Sequence, residues 1–399
     1  MTDLLKPRDG RDIEAAVRWA LADGKTLEIV GHGSKRGLGR AAQWDMSFDL
    51  SDLSGVTLYE PEELILSAKA GTPMAEIEAL LAKNNQELAF EPMDYGPVFG
   101  TAPGRGTIGG ALAANLSGPR RIKAGAARDH FLGFTAVSGR GETFKSGGRV
   151  VKNVTGYDLC KVLAGSYGTL AAMTDVTVKV LPRAESEETL LVLGLDDAAA
   201  VRAMSIAMGS SNDVSGAAHF PAPLAASIQA EAGTALTALR LEGVAPSVAH
   251  RRRALESLLK PLGEITVFTE PDSRALWKAV RDVRPFAASD RALWRISVAP
   301  RRGHEVAAAI GEGAEHFYDW AGGLIWLTLP AADDGGAARV RAALGGNGHA
   351  TLIRAPAAIR ASVPVFEPQD AGLAALTRRV KESFDPNGVL GPGRMWAGV

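Results

Sequence analysis

The sequence holds one cysteine, Cys160, in 399 residues. That excludes an internal disulfide, and it excludes an iron–sulfur cluster held by this chain's own thiolates, which would need several of them. Cys160 lies in the apolar stretch YDLCKVLAG, the setting of a buried structural thiol more than of a nucleophile. An excess of either charge is missing too. With 44 basic against 45 acidic side chains there is no global field to hold nucleic acid or an anionic membrane surface, so any anion site must be local. Long apolar runs are also absent. No stretch reaches the roughly 18 residues of a spanning helix, and MTDLLKPRDGRD lacks a signal peptide's apolar segment. The chain therefore reads as cytoplasmic, with no direct membrane insertion.

What is there is enough for two domains, since the length exceeds one typical core of roughly 100–200 residues. DIEAAVRWALADG places Ile13, Ala16, Val17, Ala20 and Leu21 on one helical face, with Asp12 as the capping residue and Gly24 as the stop. Strands are expected near 26–30, 46–50, 56–59 and 64–70, and after them a helix with Thr72 as N-cap and Pro73 at its first position. FLGFTAVSGRGETF reads as two strands about a turn, and MTDVTVKVLPR as another strand. Strands sharing few helices make this part α+β. The charged stretch RAESEE marks a boundary near 183, after which LLVLGL, GAAHF, ALTALRLEG, EITVF, ALWRISVAP, GLIWLTLP and GHATLIRA alternate with helical stretches. The expected domains are 1–183, an α+β domain of 184–370, and a segment 371–399 that returns to the first. No clear internal repeat emerges. The run Arg251 to Arg253 reads as the solvated face of a helix.

Two glycine-rich stretches ask for a ligand. VGHGSKRGLG, residues 30–39, superficially matches a dinucleotide-binding G-x-G-x-x-G, but the nearby QWDMSFDL alternates like a strand where a helix would be required. The loop joins strand to strand, so it is either an anion-binding nest with Lys35 or Arg36 adding charge, or an ordinary glycine hairpin. PGRGTIGGALAANLSGPRR, residues 103–121, does open a helix, capped by Thr107. Gly109 and Gly110 there either admit a cofactor or pack the helix tightly on a strand.

A third stretch, KNVTGYDLCKVLAGSYGTLAAMTDVTVKVLP, resembles the K-x-x-T-G-Y-D-L … G-S-x-G-T-L-G signature of flavoproteins with the vanillyl-alcohol-oxidase, or p-cresol-methylhydroxylase, type of FAD-binding domain. The order and spacing of all three stretches agree with that family across residues 1–182. The resemblance implies a two-part FAD-binding domain and, after it, an α+β cap domain. It implies that Gly31, His32, Gly33, Ser34 and Lys35 form a pyrophosphate loop. Gly104, Arg105, Gly106 and Thr107, with Gly109, Gly110, Ala113, Ala114 and Asn115, would line the flavin and its phosphates. Gly165, Ser166, Gly168, Thr169 and Leu170 would run along the adenine side. Two departures stand out: Ala171 replaces the last glycine of G-T-L-G, and Gly391 stands where N-P-G-R/K is usual. Ser34 occupies the position where covalent members have a flavin-linking histidine, with His32 two residues earlier, which implies noncovalent FAD.

Within that family, SGPRR with RDHFLGF, LWRIS, DWAGGLIWL and FDPNGVLGPGRM resemble the smaller FAD-binding subunits of bacterial glycolate oxidases. The resemblance implies oxidation of glycolate to glyoxylate beside a larger paralogous FAD subunit and an iron–sulfur subunit, with attachment to the inner membrane only through such partners. The alternative is an autonomous FAD-dependent dehydrogenase of a small D-2-hydroxy acid such as D-lactate. Related dehydrogenases carry paired metal-binding histidines where GGNGHAT offers only His349, so no metal site is expected. Catalytic candidates are Arg295 and Arg240, as forks for a substrate carboxylate, and His219 as a base, each set against a surface or core-satisfying role. Arg120 and Arg121 are candidates to steady a phosphate or the anionic reduced flavin.

Overall fold

The computed structural model describes residues 3–149, 156–228 and 233–399, and the chain separates into two compact units. Residues 150–155, the first part of the VVKNVTGYDL stretch, lie outside the described residues. One unit comprises 1–117, 125–182 and 364–399; the other comprises 118–124 and 183–363.

In the first unit, helix Gly10–Ala22 buries Ile13, Val17 and Ala20. Its cap is Asp9 and not Asp12: the Asp9 carboxylate accepts from the Arg11 and Asp12 N–H groups, while Asp12 sits in the first turn. Thr72 does not cap the next helix, Met74–Ala82, either. Its hydroxyl is committed to the Lys69 and Gly55 carbonyls, at 2.6 and 3.2 Å. Strands Asp3–Leu5, Met46–Asp49 and Leu27–Val30 form a parallel sheet in that order. The VGHGSKRGLG loop therefore leaves a strand and returns to a parallel neighbour without a described helix between them. A hairpin cannot do that, because hairpins join antiparallel strands. The second sheet is antiparallel, in the order Val56–Glu60, Ile65–Lys69, Ala171–Lys179, Phe131–Ser138, Thr143–Gly147. Cys160 is buried in the core beneath it, and burial pushes its thiol up to about 12.

Residues 364–399 tie this unit together. Lys381, on helix Ala371–Phe384, is buried and donates to the Thr169 and Leu390 carbonyls and to Asp385 at 2.6–2.8 Å. Asp385 in turn accepts from the Val389 and Leu390 N–H groups. Each ion is thus paired and hydrogen-bonded, the condition under which burying both is tolerable.

The second unit is one eight-stranded antiparallel sheet, and it contains a repeat that the sequence does not display. Strands Ser186–Leu193, Gly216–Phe220, Leu236–Gly243 and Glu264–Phe268 alternate with helices Asp197–Gly209 and Ala245–Leu259 in a β-α-β-β-α-β order. Strands Ala292–Ser297, Glu315–Asp319, Leu324–Leu329 and His349–Arg354 do the same with helices Gly303–Ile310 and Ala337–Leu344. The two halves stack their strands in mirrored order and meet at the pairing of His219 with Tyr318. Arg251 and Arg252 are not on a solvated face. Arg251 donates to the Glu242 and Asn212 carbonyls, and Arg252 pairs with Glu188 at 2.7 Å, leaving Arg253 exposed.

Candidate functional site

A cleft of about 760 Å³ opens within the first unit, and the glycine loop forms one wall of it. The loop leaves strand Leu27–Val30, turns through Gly33 at φ 73°, and lies against Thr107. A Cβ at Gly31 would come within 2.8 Å of the Thr107 hydroxyl oxygen, so only glycine fits there. Thr107 accepts from the Gly110 N–H and caps the short helix Ile108–Ala113, as its sequence position predicts. The two glycines after it serve different ends. A Cβ at Gly109 would lie 2.8 Å from the Ala70 carbonyl oxygen and Cβ, which makes that glycine a packing device. A Cβ at Gly110 would face the Lys35 chain at 3.1 Å, in the cleft.

The third stretch hangs on the end of this helix. The Tyr167 N–H donates to the Ala113 carbonyl at 2.9 Å and the Gly165 N–H to the Leu112 carbonyl at 3.3 Å. That satisfies two carbonyls at the helix's C-terminal end and sets Gly168 beside Ile29 on the cleft wall. Gly391 has φ 52°, the left-handed region that glycine and asparagine share, so glycine can stand where the family pattern has asparagine. Ala171 lines the cleft with a methyl group.

The charge of the lining is one-sided. Lys35, Arg36 and Arg394 reach it, and no carboxylate among the described residues does. Arg36 is held by Glu28 at 2.7 Å, and Arg394 pairs with the same carboxylate at 3.7 Å. Lys35 donates to Ser34 Oγ at 3.3 Å and has no ion-pair partner among the described residues. Burial pushes its ammonium down to about 8, with Asp94 opposing the shift and Arg394 reinforcing it. A half-buried ammonium with no carboxylate at ion-pair distance among the described residues, beside bare backbone, suits a ligand that brings negative charge. The apolar remainder of the wall, Ile29, Leu38, Leu50 and Met173, suits a flat ring system.

Among the residues expected from sequence, the cleft brings together Gly31, His32, Gly33, Ser34 and Lys35 with Thr107, Gly109, Gly110, Ala113, Ala114 and Gly168. Gly104, Arg105, Gly106, Asn115, Gly165, Ser166, Thr169 and Leu170 lie outside its lining. Arg394 and Tyr167 line it without having been singled out. The signal for Arg394 was the GPGRM stretch, whose return to this domain places an arginine next to a turn.

The second unit accounts for its own candidates. His219 is fully buried, with Nδ1 2.9 Å from Thr237 Oγ1 and Nε2 3.4 Å from Asp197. Arg240 is buried over the Trp277 ring, 3.5 Å from Glu242, and Arg120 meets the same carboxylate at 3.0 Å. Burial works to raise the Glu242 carboxyl, but Arg240 and Arg120 hold it down at about 2. Arg295 and Arg121 both lie over the Trp320 ring, 4.9 and 4.7 Å from its centroid. His349 opens its strand exposed to solvent, and among the described residues no group of histidine, cysteine and carboxylate side chains is placed to hold a metal. No described helix is long and apolar enough to cross a membrane.

Comparison with known proteins adds the chemistry. Residues 3–147 match the FAD binding domain family. The chain is 33% identical over 96% of its length to glycolate oxidase subunit GlcE of Escherichia coli strain K12, covering 95% of that protein. It is 41% identical over 87 residues, 22% of its length and 18% of the relative's, to glycolate oxidase subunit GlcD of Bacillus subtilis strain 168. A crystal structure of p-cresol methylhydroxylase with substrate bound superposes with a TM-score of 0.70 at 15% identity, over 98% of this chain and 88% of that one.

Proposed function

On the premise that the chain belongs to the glycolate oxidase subunit family of FAD-linked oxidoreductases, we propose that it is the FAD-binding subunit of a glycolate-oxidising complex. The observation that carries the proposal is the cleft: glycine backbone, three cations and no described carboxylate along one apolar wall. The first unit, 1–117 with 125–182 and 364–399, serves as the FAD-binding domain, and the second, 118–124 with 183–363, as the cap. Gly31 to Lys35, the 104–107 turn, Gly109, Gly110, residues 113–115 and the 165–170 loop hold the dinucleotide, with Lys35 and Arg394 facing its phosphates. Ser34 gives the flavin no nucleophilic ring nitrogen, so FAD is held noncovalently.

FAD, when bound, accepts the two electrons by which a 2-hydroxy acid becomes a 2-oxo acid. This chain positions that group, neutralises its phosphates and shields it behind apolar side chains. With Cys160 alone it has no thiolate set for a cluster, so the electrons leave through an iron–sulfur subunit, beside a larger FAD-bearing paralogue. Any inner-membrane association runs through those partners.

The test is co-expression with candidate partner subunits, then affinity capture and anaerobic mixing with glycolate. The assembled complex is expected to bleach its flavin and reduce an artificial acceptor, while the isolated, flavin-loaded chain does so at least about a hundredfold more slowly, the scale of one lost acid–base contribution. Rapid bleaching of the isolated chain would establish the autonomous dehydrogenase instead.

A further inference from the structure

Most half-buried and buried arginines of the second unit are answered by a carboxylate. Arg240 and Arg120 meet Glu242, Arg252 meets Glu188, Arg281 meets Asp282 and Arg291 meets Glu315. Arg295 is different. It is half-buried on strand Ala292–Ser297, and among the described residues it has neither a hydrogen-bond nor an ion-pair partner. The residues opposite it on the neighbouring strands are Trp326 and Thr351, neither of them acidic. Its guanidinium lies over the Trp320 ring.

A second cation shares that ring. With Arg121 and Arg295 at 4.7 and 4.9 Å from one indole centroid, the two guanidiniums lie within about 10 Å of each other, no more than roughly one Debye length at 0.1 M salt, so their repulsion is only partly screened. The indole's π face offsets part of that. The platform itself is fixed. Trp320 and Ala321 adopt φ 50° and 57°, a left-handed conformation that side-chain-bearing residues rarely hold in succession. The Asp319 carboxylate accepts from the Trp320 N–H at 2.7 Å, and the indole N–H donates to the Gly118 carbonyl at 3.0 Å. A strained turn thus holds an aromatic plate against which two positive charges pack, one of them, Arg295, without a counter-ion among the described residues.

We propose that Arg295, with Arg121 on the Trp320 platform, binds the carboxylate of a small hydroxy or oxo acid. A planar guanidinium with free N–H groups matches a carboxylate in two hydrogen bonds, and the anion removes the repulsion between the two arginines. This deepens the proposed function, because it assigns the substrate's acid group to residues of the second unit; the binding itself does not depend on flavin turnover.

The experiment is calorimetric titration of the full-length chain with glycolate, and separately with neutral glycolamide, with flavin content read by absorbance on each sample. Wild type is expected to bind glycolate saturably and glycolamide not at all. Arg295→Ala should weaken glycolate roughly ten- to hundredfold at unchanged flavin content, the range for loss of a charge-assisted pair. Arg295→Lys, which keeps the charge but not the fork, should fall between, and Arg253→Ala, on the exposed helix face, should bind as wild type. Wild-type affinity in a folded Arg295→Ala chain, equal binding of glycolamide, or no binding by wild type would each overturn the assignment. A colourless chain that still binds glycolate through Arg295 would instead count against the FAD-subunit reading alone.

Discussion

The two units handle charge in opposite ways. In the second, Glu242 lies among Arg120, Arg240 and Ser215, so nearly every buried ion is answered from within the protein. In the first, the cleft collects three cations: Arg36 and Arg394 share the carboxylate of Glu28, while Lys35, with only the more distant carboxylate of Asp94 to offset its charge, hydrogen-bonds a hydroxyl. A buried charge cluster that closes on itself is part of the scaffold. One that is left short of an anion, next to glycine backbone, is a binding site. Titratability alone does not separate the two: the buried His219 and Arg240 lie in closed clusters, whereas Lys35 is half-buried and open.

The largest effect is expected where a closed cluster is opened. Glu242→Ala would leave Arg120 and Arg240 buried without their carboxylate, a loss of about 3–5 kcal/mol by analogy with broken buried pairs. Denaturant unfolding should show the midpoint falling far more than for any change in the cleft.

The two neighbouring glycines sharpen the contrast at the next level. Gly109→Ala drives a methyl into the Ala70 carbonyl and should cost about 1–3 kcal/mol of stability. Gly110→Val should leave stability near wild type while abolishing flavin occupancy, because its branches displace the Lys35 chain in the cleft. Flavin absorbance against melting temperature for the pair checks both; full occupancy in Gly110→Val would make that glycine a packing feature as well.

The loop, the capped helix and the GSYG stretch were legible in the sequence, because glycine spacing and a capping threonine report backbone requirements that any fold must meet. Gly109 and Gly110 could not be told apart there, since which side of a helix meets a strand is decided by tertiary packing. The first cap reads as Asp12 in place of Asp9 because both carboxylates precede the same apolar face, and only the extended backbone at Asp9 lets its side chain reach the N–H groups beyond it. The doubled β-α-β-β-α-β unit was invisible for a related reason. Strand order and helix placement repeat while the side chains that satisfy them differ. Arg394 became legible only once residues 364–399 were seen to close back through Lys381 and Asp385.

A smaller effect is expected from titrating the open charge. Lys35 titrates near 8 without its ligand, so below that pH the ammonium is ready for phosphate, and above it binding must first take up a proton. Flavin affinity of the apoprotein should therefore fall as pH rises through about 8, by up to roughly tenfold per unit. Lys35→Met should bind about ten- to hundredfold more weakly at pH 7 and lose that pH dependence. Flavin fluorescence quenching reads both.

The most direct test of the central claim, that the open cluster of the first unit holds FAD without a covalent bond, is acid precipitation of the freshly purified chain. Yellow supernatant containing close to one FAD per chain is the expected result. Flavin that stays with the pellet would contradict the noncovalent site, and a preparation that carries no flavin and takes none up on incubation with FAD would contradict the cleft assignment altogether.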